Sequence, residues 1–201
     1  MGGEPLLNPD VNKFLRIARE NFTEGRIEIL TNGILLMNMT DDFWRACHDN
    51  RIIIAITHYP VKLDTQGIKQ KAQMFGVELE WHGSGEDKAK TIFGKHAIDL
   101  TGSQDIVKNF AYCGHANSCR LLRDGKLYPC SFAGNVCHFN KKFGDKIEIT
   151  EADYVDIYKA DADTILQKGI EPVPVCRYCN LKAHTTFPWH VSERNEISEW
   201  I

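Results

Sequence analysis

Short β-rich segments recur in the first hundred residues at intervals of about 20 to 25 residues, and this spacing constrains the fold most. They occupy residues 26–31, 52–57, 77–81 and, more weakly, 97–101. Helical patterns fill the intervals, and a further helix, started by Pro9 and stopped by Gly25, precedes the first strand. Such spacing is what right-handed crossovers between parallel strands need. The pattern therefore predicts an α/β fold with a mainly parallel sheet.

The pattern changes near residue 105, where cysteines become frequent and strands become short. The segment 121–128 reads as a hairpin closed by a two-residue turn at Asp124 and Gly125. A short strand at 146–150 and a short helix at 160–168, closed by Gly169, follow. We therefore predict two domains, residues 1–105 and a small α+β, cysteine-rich domain at 106–201.

Composition excludes several classes of protein. Apolar residues make up 43% and charged residues 25% of the 201 residues, which is ordinary for a globular chain. The longest apolar run, residues 52–56, is far below the roughly 20 residues that span a bilayer. The chain therefore has no predicted membrane span. Its net charge is −3 and its sequence contains no basic stripe, so neither a membrane nor a nucleic acid is a predicted partner. No basic segment followed by an apolar one marks the N-terminus, so we expect a cytoplasmic protein.

The chain contains seven cysteines, and an odd number cannot all pair in disulfides. The count therefore disfavours a disulfide framework and favours metal binding in a reduced compartment. Cys176 and Cys179 form a CxxC pair, and Cys130 directly follows the predicted hairpin. Either Cys113 or Cys119 supplies a fourth thiolate. Four thiolates suit either zinc or an iron–sulfur cluster.

Two cysteines and the histidines are given no definite role. Cys47 lies in a helical pattern and is interpreted as a core residue. Cys137 is interpreted as a core residue or a neighbour of the metal group. The eight histidines are scattered along the chain and define no motif.

The segment Gly2-Gly3-Glu4-Pro5 resembles the GGE motif that ends the second strand of radical S-adenosylmethionine (SAM) enzymes. In that family the motif holds the amino group of the methionine part of SAM. The resemblance thus implies that Gly2, Gly3 and Glu4 contact SAM. Glycine allows close approach of the backbone, and a carboxylate complements an ammonium group.

The cysteine spacing resembles the auxiliary-cluster extension of the same superfamily, called the SPASM or twitch domain. The pattern is Cys113-x11-Gly125-x4-Cys130 followed by CRYC at residues 176–179. The resemblance implies one auxiliary 4Fe–4S cluster held by Cys113, Cys130, Cys176 and Cys179, with Cys119 as the reserve ligand. Such a cluster takes up an electron or anchors the substrate.

The chain departs from the family because it contains no CxxxCxxC, the motif that binds the catalytic cluster. We therefore expect a portion of a longer enzyme, either a fragment or a gene start assigned at an internal Met. The implied fold is a partial (βα) barrel that lacks its first βα unit, followed by the auxiliary-cluster domain. We expect this chain alone to be inactive and to self-associate through its uncovered sheet edge.

Ligands of parallel α/β folds bind at the carboxyl ends of the strands. With the resemblance, this position implies that Thr31, Asn32 and Thr57 contact SAM. Three further strand-end residues, His58, Tyr59 and His82, are candidates for facing the substrate. The family's range leaves the substrate open among peptides, sugars and small molecules such as cofactor precursors.

Two alternatives need no SAM. The four cysteines would hold a structural zinc in an interaction module, or they would carry a cluster in a stand-alone electron-transfer protein. Zinc leaves a protein colourless, whereas an iron–sulfur cluster makes it brown.

Overall fold

The computed structural model describes residues 3–82, 88–116, 118–192 and 196–201. The chain divides into two compact units, Gly2–Phe93 and Gly94–Ile201. Each unit contains helices and strands, so the fold is mixed α/β. The division lies before residue 105, where the cysteine-rich pattern begins. Within the described residues, none of the helices is long and apolar enough to cross a membrane.

The first unit is built on a three-stranded parallel sheet with the strand order β1-β2-β3. Its strands and helices, in chain order, are α1 (Val11–Asn21), β1 (Ile27–Thr31), α2 (Asp41–Asp49), β2 (Ile52–Thr57), α3 (Thr65–Phe75) and β3 (Leu79–His82). Helices thus alternate with parallel strands, as the spacing of the β-rich segments predicts.

The central strand β2 is buried along nearly its whole length, which explains its continuous apolar sequence. Ile54 and Ile56 pack in a core that also contains Phe43 and Trp44 of α2. The third helix ends at Gly76, whose φ of 67° is the left-handed conformation that glycine adopts most easily. The apolar segments therefore account for the position of the central strand, and Gly76 accounts for the end of the third helix.

The second unit contains two small sheets. Strand β4 (Ile92–Lys95) spans the division at residue 93, and the strands and helices after it are α4 (Ile106–Tyr112), β5 (Leu121–Arg123), β6 (Lys126–Tyr128), α5 (Ser131–Phe143), β7 (Val155–Asp156), α6 (Ala162–Lys168) and β8 (Thr185–Pro188). Strand β4 pairs with β8, and β5, β6 and β7 form the other sheet. Val136 of α5 and Val175 lie in the core of this unit.

The predicted hairpin is confirmed, since β5 and β6 pair antiparallel across Asp124 and Gly125. Both turn residues have positive φ, 50° and 72°, as two-residue hairpin turns require. The hairpin ends just before Cys130, which begins α5.

Two predicted strands are wrong. Residues 97–101 do not extend the parallel sheet; Ile98 forms a single antiparallel bridge with Cys179 in the second unit. Residues 146–150 form no strand either, because the side chain of Asn140 takes the hydrogen bonds of a strand partner. Its Nδ2 donates to the carbonyl of Ile147 at 2.7 Å, and its Oδ1 accepts from the amide of Ile147 at 3.2 Å.

Candidate functional site

The carboxylate of Glu4 joins the start of the chain to the carboxyl end of β1. Its Oε1 accepts hydrogen bonds from the hydroxyl of Thr31 at 2.7 Å and from the amide of Leu6 at 3.2 Å. Its Oε2 accepts from the amide of Asn32 at 2.9 Å. Three residues that the family resemblance assigns to SAM therefore lie together in the first unit.

This strand-end group is already hydrogen-bonded within the chain. Thr31 Oγ1 accepts from the amide of Gly33 at 3.0 Å, and Asn32 Oδ1 accepts from the amide of Ile34 at 2.9 Å. A carboxylate offers about four acceptor positions, so Glu4 retains capacity for one more donor. Gly3 is exposed, and a Cβ placed on it would meet nothing within 4 Å. Gly2 lies outside the described residues.

Thr57 lies at the same edge of the sheet as Thr31. In the parallel register Thr31 is opposite Ile56, so Thr57 is one residue further along the neighbouring strand. Thr57 is in turn opposite His82 of β3. The strand ends thus form one polar edge, as the parallel fold predicts.

The three candidate substrate residues have different surroundings. The ring of His58 packs edge-on against Trp81, and its Nδ1 is buried with no hydrogen-bond partner in the described part of the chain. Tyr59 stacks on Phe93 at 5.6 Å between ring centres. His82 Nε2 lies 3.7 Å from an oxygen of Glu28. His82 Nε2 is likewise buried without a hydrogen-bond partner in the described residues, so both histidines have a ring nitrogen whose partner is still to be supplied.

The cysteine group of the second unit comes from three separate segments. Cys113 ends α4, and Cys130 begins α5, where its sulfur accepts a hydrogen bond from the amide of Ala133 at 3.5 Å. Cys176 and Cys179 lie on the 3-10 turn Pro174–Tyr178 and directly after it. Cys113, Cys130 and Cys179 therefore lie at the ends of short structural elements, and Cys176 lies within the 3-10 turn.

These segments bring the thiols together. Cys113, Cys130 and Cys179 line one cavity of about 60 Å³. Burial is the main cause that raises the pKa values of Cys130, Cys176 and Cys179, and the nearby Cys113 thiol contributes to all three. Cys119 contributes only to the raised pKa of Cys130. Cys113 lines the cavity together with Cys130 and Cys179, whereas Cys119 does not line it.

Burial keeps these sulfurs protonated. It raises the pKa of Cys176 to about 11 and that of Cys179 well above its usual range. At Cys130 the amides at the start of α5 act against burial, so its raised pKa is the smaller shift. Because metals bind thiolates, metal binding by this group would release protons and depend on pH.

Two polar side chains position the CxxC segment, and sequence reasoning missed both. Asn109 of α4 donates from Nδ2 to the carbonyl oxygens of Cys176 at 2.8 Å and Cys179 at 2.5 Å. The fully buried Asp153 accepts from the amide of Val175 at 2.6 Å. Their signal in the sequence is slight, because Asn109 lies in the short helix α4, which the sequence pattern does not predict, and Asp153 lies just before the two-residue strand β7.

Two other cysteines, Cys47 and Cys137, do not belong to this group. Cys47 is completely buried in the core of the first unit, as interpreted from its helical pattern, and burial raises its pKa to about 12. Cys137 is exposed, and its sulfur accepts a hydrogen bond from Arg123 Nη1 at 2.8 Å. It is therefore not a core residue.

Throughout the described ranges, no group of three or more His, Cys, Asp or Glu side chains is arranged as it stands to hold a metal ion. No protein-family model matches the chain, and no curated protein matches it.

Proposed function

We propose that this chain is a portion of a radical SAM enzyme and that its second unit holds one auxiliary 4Fe–4S cluster. The observation that carries the proposal is that Cys113, Cys130 and Cys179, from three separate segments, face one cavity. Cys176 is the fourth ligand, and it interacts electrostatically with Cys130 and Cys113. Four cysteine thiolates are the usual ligand set of such a cluster.

The chemistry of the donor set fits a cluster. The group consists of sulfur donors that are largely removed from water, and the polar contacts of Asn109 and Asp153 support the segment that carries two of them. A zinc ion would draw four sulfurs to about 3.8 Å from one another, given Zn–S distances of about 2.3 Å. A cluster binds each sulfur through its own iron and holds the sulfurs further apart. Either occupant requires the thiols to move, because no group of three or more His, Cys, Asp or Glu side chains in the described residues is arranged for a metal ion.

In this proposal the parallel sheet of the first unit belongs to a partial (βα) barrel and presents SAM-binding groups at its strand ends. Glu4 has acceptor capacity for the ammonium group of SAM, and Thr57 offers a hydroxyl at the same edge. In the family, SAM and a catalytic cluster held by CxxxCxxC together supply a radical that abstracts a hydrogen atom from the substrate. This chain contains no CxxxCxxC, so we expect it not to cleave SAM by itself.

Anaerobic reconstitution with iron and sulfide tests the cluster. We expect about four iron atoms and a brown colour for the full chain. Cys130→Ala and Cys113→Ala should lose the iron, whereas Cys119→Ala should retain it. Cys137→Ala is the matched control, because Cys137 is a cysteine of the same unit that is held by Arg123 instead. A colourless protein with one zinc, or iron retained in Cys130→Ala, would overturn the proposal.

Equilibrium dialysis against SAM tests the strand-end part separately. The full chain is expected to bind SAM, and Thr57→Val, which removes only the hydroxyl, should weaken binding without changing stability. Cluster content without SAM binding would instead favour the stand-alone electron-transfer alternative.

A further inference from the structure

Three of the eight histidines meet in the second unit although they are far apart in sequence. His96 follows β4, His115 lies in the turn after α4, and His184 follows the 3-10 turn Leu181–Ala183. The ring centre of His96 lies 4.6 Å from that of His115 and 4.5 Å from that of His184, both in edge-to-face contact. We call these three residues the histidine cluster.

Among the residues that the structure describes, nothing accounts for the histidine cluster as a structural feature. All three residues are exposed, so the cluster is not part of the core. Within the described residues, no side-chain hydrogen bond or ion pair engages any of the three rings. The pKa of His96 is lowered, first by partial burial of the ring and then by the nearby His184 and His115.

We propose that His96, His115 and His184 together bind one divalent cation of the zinc class. Imidazole nitrogen suits Zn²⁺, Co²⁺ and Ni²⁺, and three histidines with an open fourth position form a known type of zinc site. Three rings bound to one ion through Zn–N bonds of about 2.1 Å have centres roughly 5 Å apart. The two observed separations are close to that value.

Binding requires the rings to turn. As the side chains stand, no group of three His, Cys, Asp or Glu in the described ranges is arranged for a metal ion. The rings contact His96 edge-on, at interplanar angles of 71° and 80°. Rotation about the side-chain bonds of exposed histidines is fast and inexpensive, so their nitrogens can turn towards a common point.

The histidine cluster lies beside the cysteine group but has a different donor chemistry. His96 and His115 line the same cavity as Cys113, Cys130 and Cys179. Thiolates could therefore compete for an added metal, and the experiment must separate nitrogen from sulfur ligation. Co²⁺ does this, because thiolate ligands add an intense near-ultraviolet charge-transfer band that imidazole ligands lack.

The test is anaerobic titration with Co²⁺, followed by absorption spectroscopy, of the full chain in a background that replaces Cys113, Cys130, Cys176 and Cys179 by serine and so removes the competing thiolates. We expect one Co²⁺ per chain with visible ligand-field bands and no thiolate charge-transfer band. His96→Gln, His115→Gln and His184→Gln should each weaken binding about tenfold or more, since loss of outer-shell partners alone costs that much. His190→Gln is the matched control, because His190 contacts Phe187 rather than the cluster.

The four-serine background also separates this proposal from the proposed function, because it should lose the iron–sulfur cluster and retain Co²⁺ binding. Saturating Co²⁺ should raise the thermal midpoint of this background, but not after His184→Gln is added, and the metal-free midpoints of the two should be equal. A thiolate spectrum, loss of Co²⁺ binding in the background, or equal binding by the background and all three histidine variants would overturn the proposal.

Discussion

The side-chain amide of Asn109 donates a 2.8 Å hydrogen bond to the carbonyl oxygen of Cys176, 67 residues further along the chain. The same nitrogen reaches the carbonyl of Cys179. Asn109 lies one turn before Cys113, which ends the same helix. One buried amide therefore fixes the distance between the first cysteine of the group and the CxxC pair.

Asn109→Ala should destabilise the second unit by about 1 to 3 kcal/mol, because it removes a donor from the carbonyl of Cys179 and leaves the carbonyl of Cys176 with the amide of Cys179 alone. It should also lower iron retention after reconstitution. Asn140→Ala is the control: it removes comparable bonds to the Ile147 backbone and leaves the cysteine segments untouched. Equal iron loss in both variants would mean that iron content follows stability, and Asn109 would then have no positioning role.

Glu4→Gln should destabilise the first unit by about 1.5 kcal/mol, since an amide replaces a carboxylate that accepts three hydrogen bonds. One carboxylate oxygen becomes an NH₂ group facing a donor. We expect faster amide hydrogen exchange at Leu6 or Asn32 and a lower urea midpoint. Glu20→Gln, at an exposed position on α1, should change neither measurement. Unchanged exchange at both amides would show that the Glu4 network contributes nothing to stability.

Local signals in the sequence were sufficient where a structural feature depends on neighbouring residues. The hairpin at Asp124 and Gly125 and the helix end at Gly76 follow from residues that tolerate positive φ. The parallel sheet of the first unit follows from the regular spacing of apolar segments, because each strand needs a crossover of similar length.

Features that depend on distant partners could not be predicted. Residues 97–101 have a strand-like sequence, but Ile98 finds its partner at Cys179 rather than in the parallel sheet. The histidine cluster likewise joins three segments that no periodicity links. For the cysteine group, the CxxC pair and the cysteine after the hairpin predict the set of candidate ligands, and the resemblance adds only the choice of Cys113 over Cys119.

The free edge of strand β1 leads us to predict that the chain self-associates. Within the described residues it pairs only with β2, and its Leu30 side chain is 43% exposed. An uncovered edge with an apolar side chain favours pairing with another chain, and a charge there disfavours it. Leu30→Lys should therefore shift the sedimentation profile towards monomer. Leu166→Lys is the control, because Leu166 is exposed on α6 in the other unit. A wild-type chain that is monomeric at high concentration would contradict the prediction.

Because the thiol of Cys47 is buried, we predict that the free energy of unfolding falls at alkaline pH. Its thiol is completely buried, and its pKa in the folded chain is raised to about 12, whereas an unfolded cysteine titrates near pH 8.5. Below pH 8.5 both states hold the proton. Above it the unfolded state loses the proton first, so the free energy of unfolding falls with pH until the folded thiol also ionises.

This loss should be about 2 kcal/mol between pH 8.5 and pH 10, at 1.36 kcal/mol per pH unit. Cys47→Ala removes the titrating group, so its stability should fall less over that range although it is lower at neutral pH, where the substitution leaves a small cavity. Cys137→Ala removes an exposed thiol and should keep the wild-type pH dependence. Urea unfolding at pH 7, 8.5 and 10 measures all three proteins. Parallel pH profiles for wild type and Cys47→Ala would show that this thiol ionises as readily in the folded chain as in the unfolded one.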